Sequence, residues 1–124
     1  MSLYGATVLE HFRRPRNQRT LERPTIVREG FNPLCGDRVR LELELDGPTI
    51  TAAAFTANAC AICTAAASLL TEQVGNMDVA HAVALTDADA VKALDADIPA
   101  ARVQCAALPV RTLREALAGI HQRA

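Results

Sequence analysis

The chain has no tryptophan, one tyrosine and three phenylalanines among its 124 residues. A core cannot be built on large rings, so it has to come from Ala, Leu, Val and Ile, in a sequence that is half apolar. A net charge of −1 gives no global reason to expect nucleic acid or an acidic membrane as partner. No apolar stretch is long and uninterrupted enough to span a bilayer, and the N-terminus lacks the apolar region of a signal peptide. The expectation is a cytoplasmic chain forming one domain over 1–124, large enough to bury a real core. In such a setting four cysteines point to metal binding or reactivity before a disulfide framework.

What is present is strongly patterned. Tyr4, Val8 and Phe12 recur at helical spacing, predicting a short amphipathic helix over 4–13 that stops before Pro15. Arg13 to Asn17 is a basic connector, and a short strand is expected within 25–31. Over 38–46, Val39, Leu41, Leu43 and Leu45 alternate with charges, which predicts a strand with one wet face. Asp46-Gly47-Pro48 makes a turn, and Ile50 to Ala57 is the returning strand of a hairpin. Ala59 to Val74 is helical by composition, with Gly75-Asn76 as its stop. Short helices fit 78–85 and 87–95, with Asp78 and Thr86 as N-caps, and a last helix is expected over 109–121 along Leu113, Leu117 and Ile120. Strands first and helices afterwards give an α+β class, a small antiparallel sheet of about three strands packed against several helices.

The chemistry lies in cysteines far apart in sequence. Cys35 and Asp37 flank a glycine, so a tight loop can aim both the same way. Cys60 falls at a helix start, where free N–H groups favour thiolate, with Cys63 one turn on, and Cys105 precedes the last helix. Three thiolates and a carboxylate suit Zn²⁺ or an iron–sulfur unit, and the harder oxygen of Asp37 makes such a site easier to open than an all-thiolate one.

Other arrangements remain open at this point. Cys60-Ala61-Ile62-Cys63 has thioredoxin-type spacing, but it follows a hairpin and lies mid-chain. A zinc ribbon would need a second C-x-x-C. Cys63 is a spare ligand, a resolving thiol or a small packed side chain, and the last is favoured. His11 lies beside the apolar stripe of its helix and is read as a packed histidine, while His81 and His121 lack nameable partners. The basic run at 13–16 is read as a solvated surface, ahead of a docking patch or an RNA patch, and docking is preferred to RNA because no aromatics are interleaved.

Asn32-Pro33-Leu34-Cys35-Gly36-Asp37 resembles the N-P-x-C-G-D motif of the U-type iron–sulfur assembly proteins, the IscU/SufU/NifU N-terminal family. The likeness extends through Glu10-His11-Phe12 and Arg14-Pro15-Arg16-Asn17, through Phe55 and Cys60 to Glu72, and through Arg102-Val103-Gln104-Cys105 with Leu108. The resemblance implies a site made of Cys35, Asp37, Cys60 and Cys105 that holds a transient [2Fe–2S] cluster or Zn²⁺. It implies sulfur accepted from a pyridoxal-phosphate cysteine desulfurase and passed to recipient apo iron–sulfur proteins or carriers, by a monomer or weak dimer. A zinc-dependent sulfurtransferase with Cys105 as sulfur acceptor is the alternative, and an interaction module with a structural zinc is a third. Gln104 stands where the IscU branch has histidine, and Ile98 to Arg102 departs from that branch's chaperone motif. The segment between Cys60 and Cys105 is too short for the insertion typical of SufU. Ala59 replaces a usual glycine, which would be strained if the backbone there were left-handed.

Overall fold

The computed structural model describes residues 5–121. Its elements are α1 (Ala6–Arg13), β1 (Ile26–Asn32), β2 (Asp37–Asp46), β3 (Thr49–Asn58), α2 (Ala61–Val74), α3 (Val79–Val83), α4 (Asp87–Ala93) and α5 (Val103–His121), the last entered through a 3₁₀ turn at Ala100–Arg102. The strands form one antiparallel sheet in the order β1-β2-β3. The architecture is thus the α+β fold that the strand-then-helix pattern predicts. Tyr4 lies outside the described residues, as does the side chain of Ile120.

The alternation in β2 sends Val39, Leu41 and Leu43 into the core, where Leu41 lies opposite Phe55 and Leu43 opposite Ala53. The helices α2 and α5 cover this face, and α1 packs on α2. With few rings available, α2 fills its layer with small side chains, and Ala65, Ala66, Ala67 and Cys63 are all buried. Close approach replaces bulk. Gly30, opposite Val39 in β1, shows it most sharply: a Cβ there would lie 2.0 Å from Thr112 Oγ1 on α5.

The outer face of β2 is less wet than the charge alternation suggests. Glu42 is 2% exposed, because the connector crosses over it. The Leu21 N–H donates to its Oε1 (2.8 Å) and Arg40 Nε–H donates to its Oε2 (3.1 Å). The Leu21 amide, aided by Arg40, holds this carboxyl below the usual range. Glu42→Ala leaves both donors without their charged acceptor and should cost about 1.5–3 kcal/mol, read by urea unfolding. An unchanged midpoint would mean that water replaces the carboxylate at no cost.

The connector itself is tied down by α2. The Arg16 N–H donates to Ser68 Oγ (2.8 Å), and the same hydroxyl shares a hydrogen bond with His11 Nδ1 (2.7 Å). His11 is therefore a packed histidine, and burial with Arg16 nearby lowers its pKa from 6.5. Asn17, left-handed at φ 62°, then accepts the Phe55 N–H at the free edge of β3. Because the unfolded chain takes up a proton at His11 before the folded chain does, stability should fall as pH drops below about 6.5 and through the folded value. His11→Asn should flatten that slope in thermal melts, and an equal slope in both proteins would assign it elsewhere.

Two helix ends differ from expectation. The left-handed residue after α2 is Asn76 (φ 69°), with Gly75 extended. The last helix starts at Val103 and carries Pro109 within it. Proline can sit there at the cost of one backbone bond, since it has no N–H to give to the carbonyl four residues back, that of Cys105. Thr86 caps α4 in a reciprocal box with Asp89, as its sequence suggests, whereas Asp78 precedes α3 without a side-chain capping bond.

Candidate metal centre

One end of the sheet gathers the chemistry. Asn32 and Asp37 close the β1–β2 hairpin as a cross-strand pair. Between them the Asn32 side chain accepts the Leu34 N–H (3.0 Å) and its carbonyl accepts the Gly36 N–H (2.8 Å). Gly36 takes φ 76°, a conformation that a side chain would oppose by roughly 1–2 kcal/mol. This tight loop lifts Cys35 to the surface and turns Asp37 inward to 4% exposure.

At the neighbouring end of β3 the chain enters α2 with Cys60 as N-cap. The Asp37 carboxylate receives Cys60 twice, its N–H at 3.0 Å and its Sγ–H at 3.4 Å. The Cys60 sulfur in turn accepts the Cys63 N–H at 3.5 Å, a thiol capping a helix as a serine hydroxyl would. Ala59 is not among the left-handed residues, so it carries no backbone strain.

Cys105, in the first turn of α5, is 2% exposed, and its Sγ–H donates to Cys35 Sγ at 3.6 Å. Burial, then the contact with Cys35, pushes its thiol well up. Two buttresses fix α5 from the far side. Asp87 on α4 accepts Arg111 at 2.6 Å and Arg114 at 3.0 Å, and Glu115 pairs with Arg28 of β1 at 2.7 Å. Arg111 also donates to the Gln104 side-chain oxygen.

The ligand-capable atoms of Cys35, Asp37 and Cys105 lie within 4.8 Å of one another. Cys60 stands outside that group of three and joins it through Asp37. Two of the separations match the edges of a tetrahedral ligand shell. With Zn–S near 2.3 Å and Zn–O near 2.1 Å, the edges run to about 3.8 Å between two sulfurs and about 3.6 Å between sulfur and oxygen. The observed separations are 3.6 Å for Cys35–Cys105 and 3.4 Å for Cys60–Asp37. Cys63 lies fully buried in the hydrophobic cluster, and that burial, with Asp37 and Cys60 nearby, pushes its thiol well up, so it packs as a small apolar side chain. Sequence reasoning missed Asn32 and Asp87 as organisers of the site, although an Asn before Pro33 is a turn signal that was there to be used.

A small α+β domain that brings soft thiols and one carboxylate to a sheet end has the donor set of a sulfur-ligated metal site. The family model of the NifU-like N terminal domain matches residues 3–124, and the chain belongs to that family. It is similar to the zinc-dependent sulfurtransferase SufU of Bacillus subtilis (strain 168), 35% identical over 85 residues, covering 68% of this chain and 57% of that protein. It is also similar to the iron–sulfur cluster assembly scaffold protein IscU of Aquifex aeolicus, 31% identical over 116 residues, covering 92% of this chain and 73% of that one. The chain spans little more than half the length of the Bacillus relative. In fold it matches the crystal structure of a nitrogen-fixing NifU-like protein (N-terminal) from Brucella abortus, with a TM-score of 0.80, 20% identity and coverage of 98% and 96%. Among the described residues no helix is long and apolar enough to cross a membrane.

Proposed function

We propose that the chain is a scaffold and sulfur carrier for iron–sulfur cluster assembly, acting as one domain over 1–124. The observation that carries this reading is the convergence of Cys35, Asp37 and Cys105, with Cys60 on the same carboxylate, at spacings a metal or cluster can use. In it, Cys35, Asp37, Cys60 and Cys105 hold iron and sulfide as a [2Fe–2S] unit that is cargo. Sulfur comes as persulfide from a pyridoxal-phosphate cysteine desulfurase, and the product goes to apo iron–sulfur proteins or carriers.

Exposure orders the thiols. Cys35 faces solvent beside Leu34, which is 89% exposed, so an incoming persulfide meets Cys35 first and Cys105 behind it. Asp37, the one oxygen donor, weakens the hold on a soft ion and lets the cargo leave.

A zinc-dependent sulfurtransferase is the second reading, favoured by the Bacillus relative and by the close approach of the Cys35 and Cys105 sulfurs. Bound zinc would keep the cysteines as thiolates. The deciding experiment is anaerobic incubation with a cysteine desulfurase, cysteine and ferrous iron. Visible charge-transfer absorption with iron and sulfide retained on the chain is expected. A colourless zinc-loaded chain that accepts persulfide selects the second reading, and four freely titrating thiols with no metal or sulfur bound overturn both.

A further inference from the structure

Cys105 has a property that metal ligation alone does not use. Its sulfur lies 3.6 Å behind that of Cys35, and the two differ in access: Cys35 is exposed, Cys105 is 2% exposed. Thiol–disulfide chemistry is displacement at sulfur, in which the attacking thiolate and the leaving sulfur stand on opposite sides of the sulfur attacked. A sulfur carried on Cys35 has its outlet on the solvent side, and Cys105 is on the inner side. That places nucleophile, central sulfur and leaving group in the order displacement needs.

We infer that Cys105 is the resolving thiol for a persulfide on Cys35, expelling its outer sulfur as hydrosulfide. This deepens the sulfur-carrier reading and rests on it. The Cys105 sulfur attacks Cys35 Sγ, the bond from Cys35 Sγ to the outer sulfur breaks, and that sulfur leaves with the electron pair and, through water, the Cys105 proton as HS⁻. The outer sulfur is reduced by two electrons, and the two cysteines are oxidised to a Cys35–Cys105 disulfide. A dithiol reductant then resets the pair. The chain thereby turns carried sulfur into the sulfide a cluster contains.

The other thiols are less suited to this step. Cys60 gives its proton to Asp37 and accepts the Cys63 N–H, so it is held across the site by its own helix start. Cys63 is fully buried within the apolar cluster. The joined residues are 70 positions apart, so the disulfide links the hairpin loop to α5 and is separable by peptide mapping from one within Cys60-Ala61-Ile62-Cys63.

The test uses the full chain, freed of metal by chelation and given glutathione persulfide without other reductant. About one sulfide per chain should be released, with the Cys35–Cys105 disulfide mapped by mass spectrometry after alkylation. Cys105→Ser should keep the persulfide on Cys35 and lose the release, with circular dichroism confirming its fold. Cys105→Ala serves if the serine does not fold. Release that persists in these variants, or a disulfide confined to Cys60 and Cys63, overturns the inference. Wild-type chain that holds persulfide on Cys35 until a dithiol is added also overturns it and leaves the carrier reading standing. Wild-type chain that takes up no persulfide overturns both.

Discussion

Gly30→Ala is expected to lower stability by about 2–3 kcal/mol, near the upper end of overpacking costs. The added methyl would lie 2.0 Å from Thr112 Oγ1, 3.2 Å from Thr112 Cβ and 3.3 Å from Leu108 Cδ1. The two nearest are not flexible tips. Thr112 is fully buried, branched at Cβ and donates its hydroxyl to the Leu108 carbonyl at 2.8 Å, so it gives way only by losing that bond or by moving α5. Thr112→Ala alone removes one hydrogen bond and should cost about 1 kcal/mol. In the Gly30→Ala/Thr112→Ala double variant the worst contact is gone, and the cost should fall well short of the sum. Additive costs in a double-mutant cycle would mean that the helix and strand do not press on one another here. Since Leu108 lies three residues after Cys105, the single variant should also weaken metal binding without touching a ligand.

Removal of a single ligand should affect metal affinity more than any other change. Structural zinc sites bind with roughly 10–16 kcal/mol, so one donor in four carries about a quarter, on the order of a hundredfold or more in affinity. Cys35→Ala, Cys60→Ala and Cys105→Ala should each show that loss in competition with a chromophoric chelator. Their metal-free stabilities should diverge. Cys35 is exposed and its alanine variant should melt with wild type, whereas Cys60→Ala removes a helix cap worth about 1 kcal/mol. Asp37→Ala combines both effects, because it deletes a donor and leaves the Cys60 N–H without its acceptor. Cys63→Ser should leave metal affinity near wild type. A hundredfold loss there would put Cys63 among the ligands.

Much of this fold was legible because its signals are local. The period-two run from Val39 to Leu45 can only bury one face, and a cysteine at a strand-to-helix junction caps whatever helix follows. What the sequence concealed depends on distant neighbours. Glu42 reads as one more charge on a wet face, and its burial needs the connector to fold across it. Gly30 reads as a weak point in a strand until Thr112 of α5 is seen against it. Pro109 reads as a helix start, since a proline there leaves no amide unsatisfied, and six residues of helix before it were missed. The candidate ligands were placed by motif, and the motif says nothing of which thiol is outermost. That order comes from α5 passing behind the hairpin loop.

Pro109 gives α5 two unequal parts. Beyond it, Thr112 locks against Gly30, and Arg111 and Arg114 share Asp87, so this length is clamped to strand and helix on both sides. Before it lies the turn that carries Cys105, joined to the clamped length by a ladder with one rung missing. With one backbone bond fewer, this turn owes its place to the burial of Cys105, Ala106 and Ala107 and to the bond between Arg111 and Gln104.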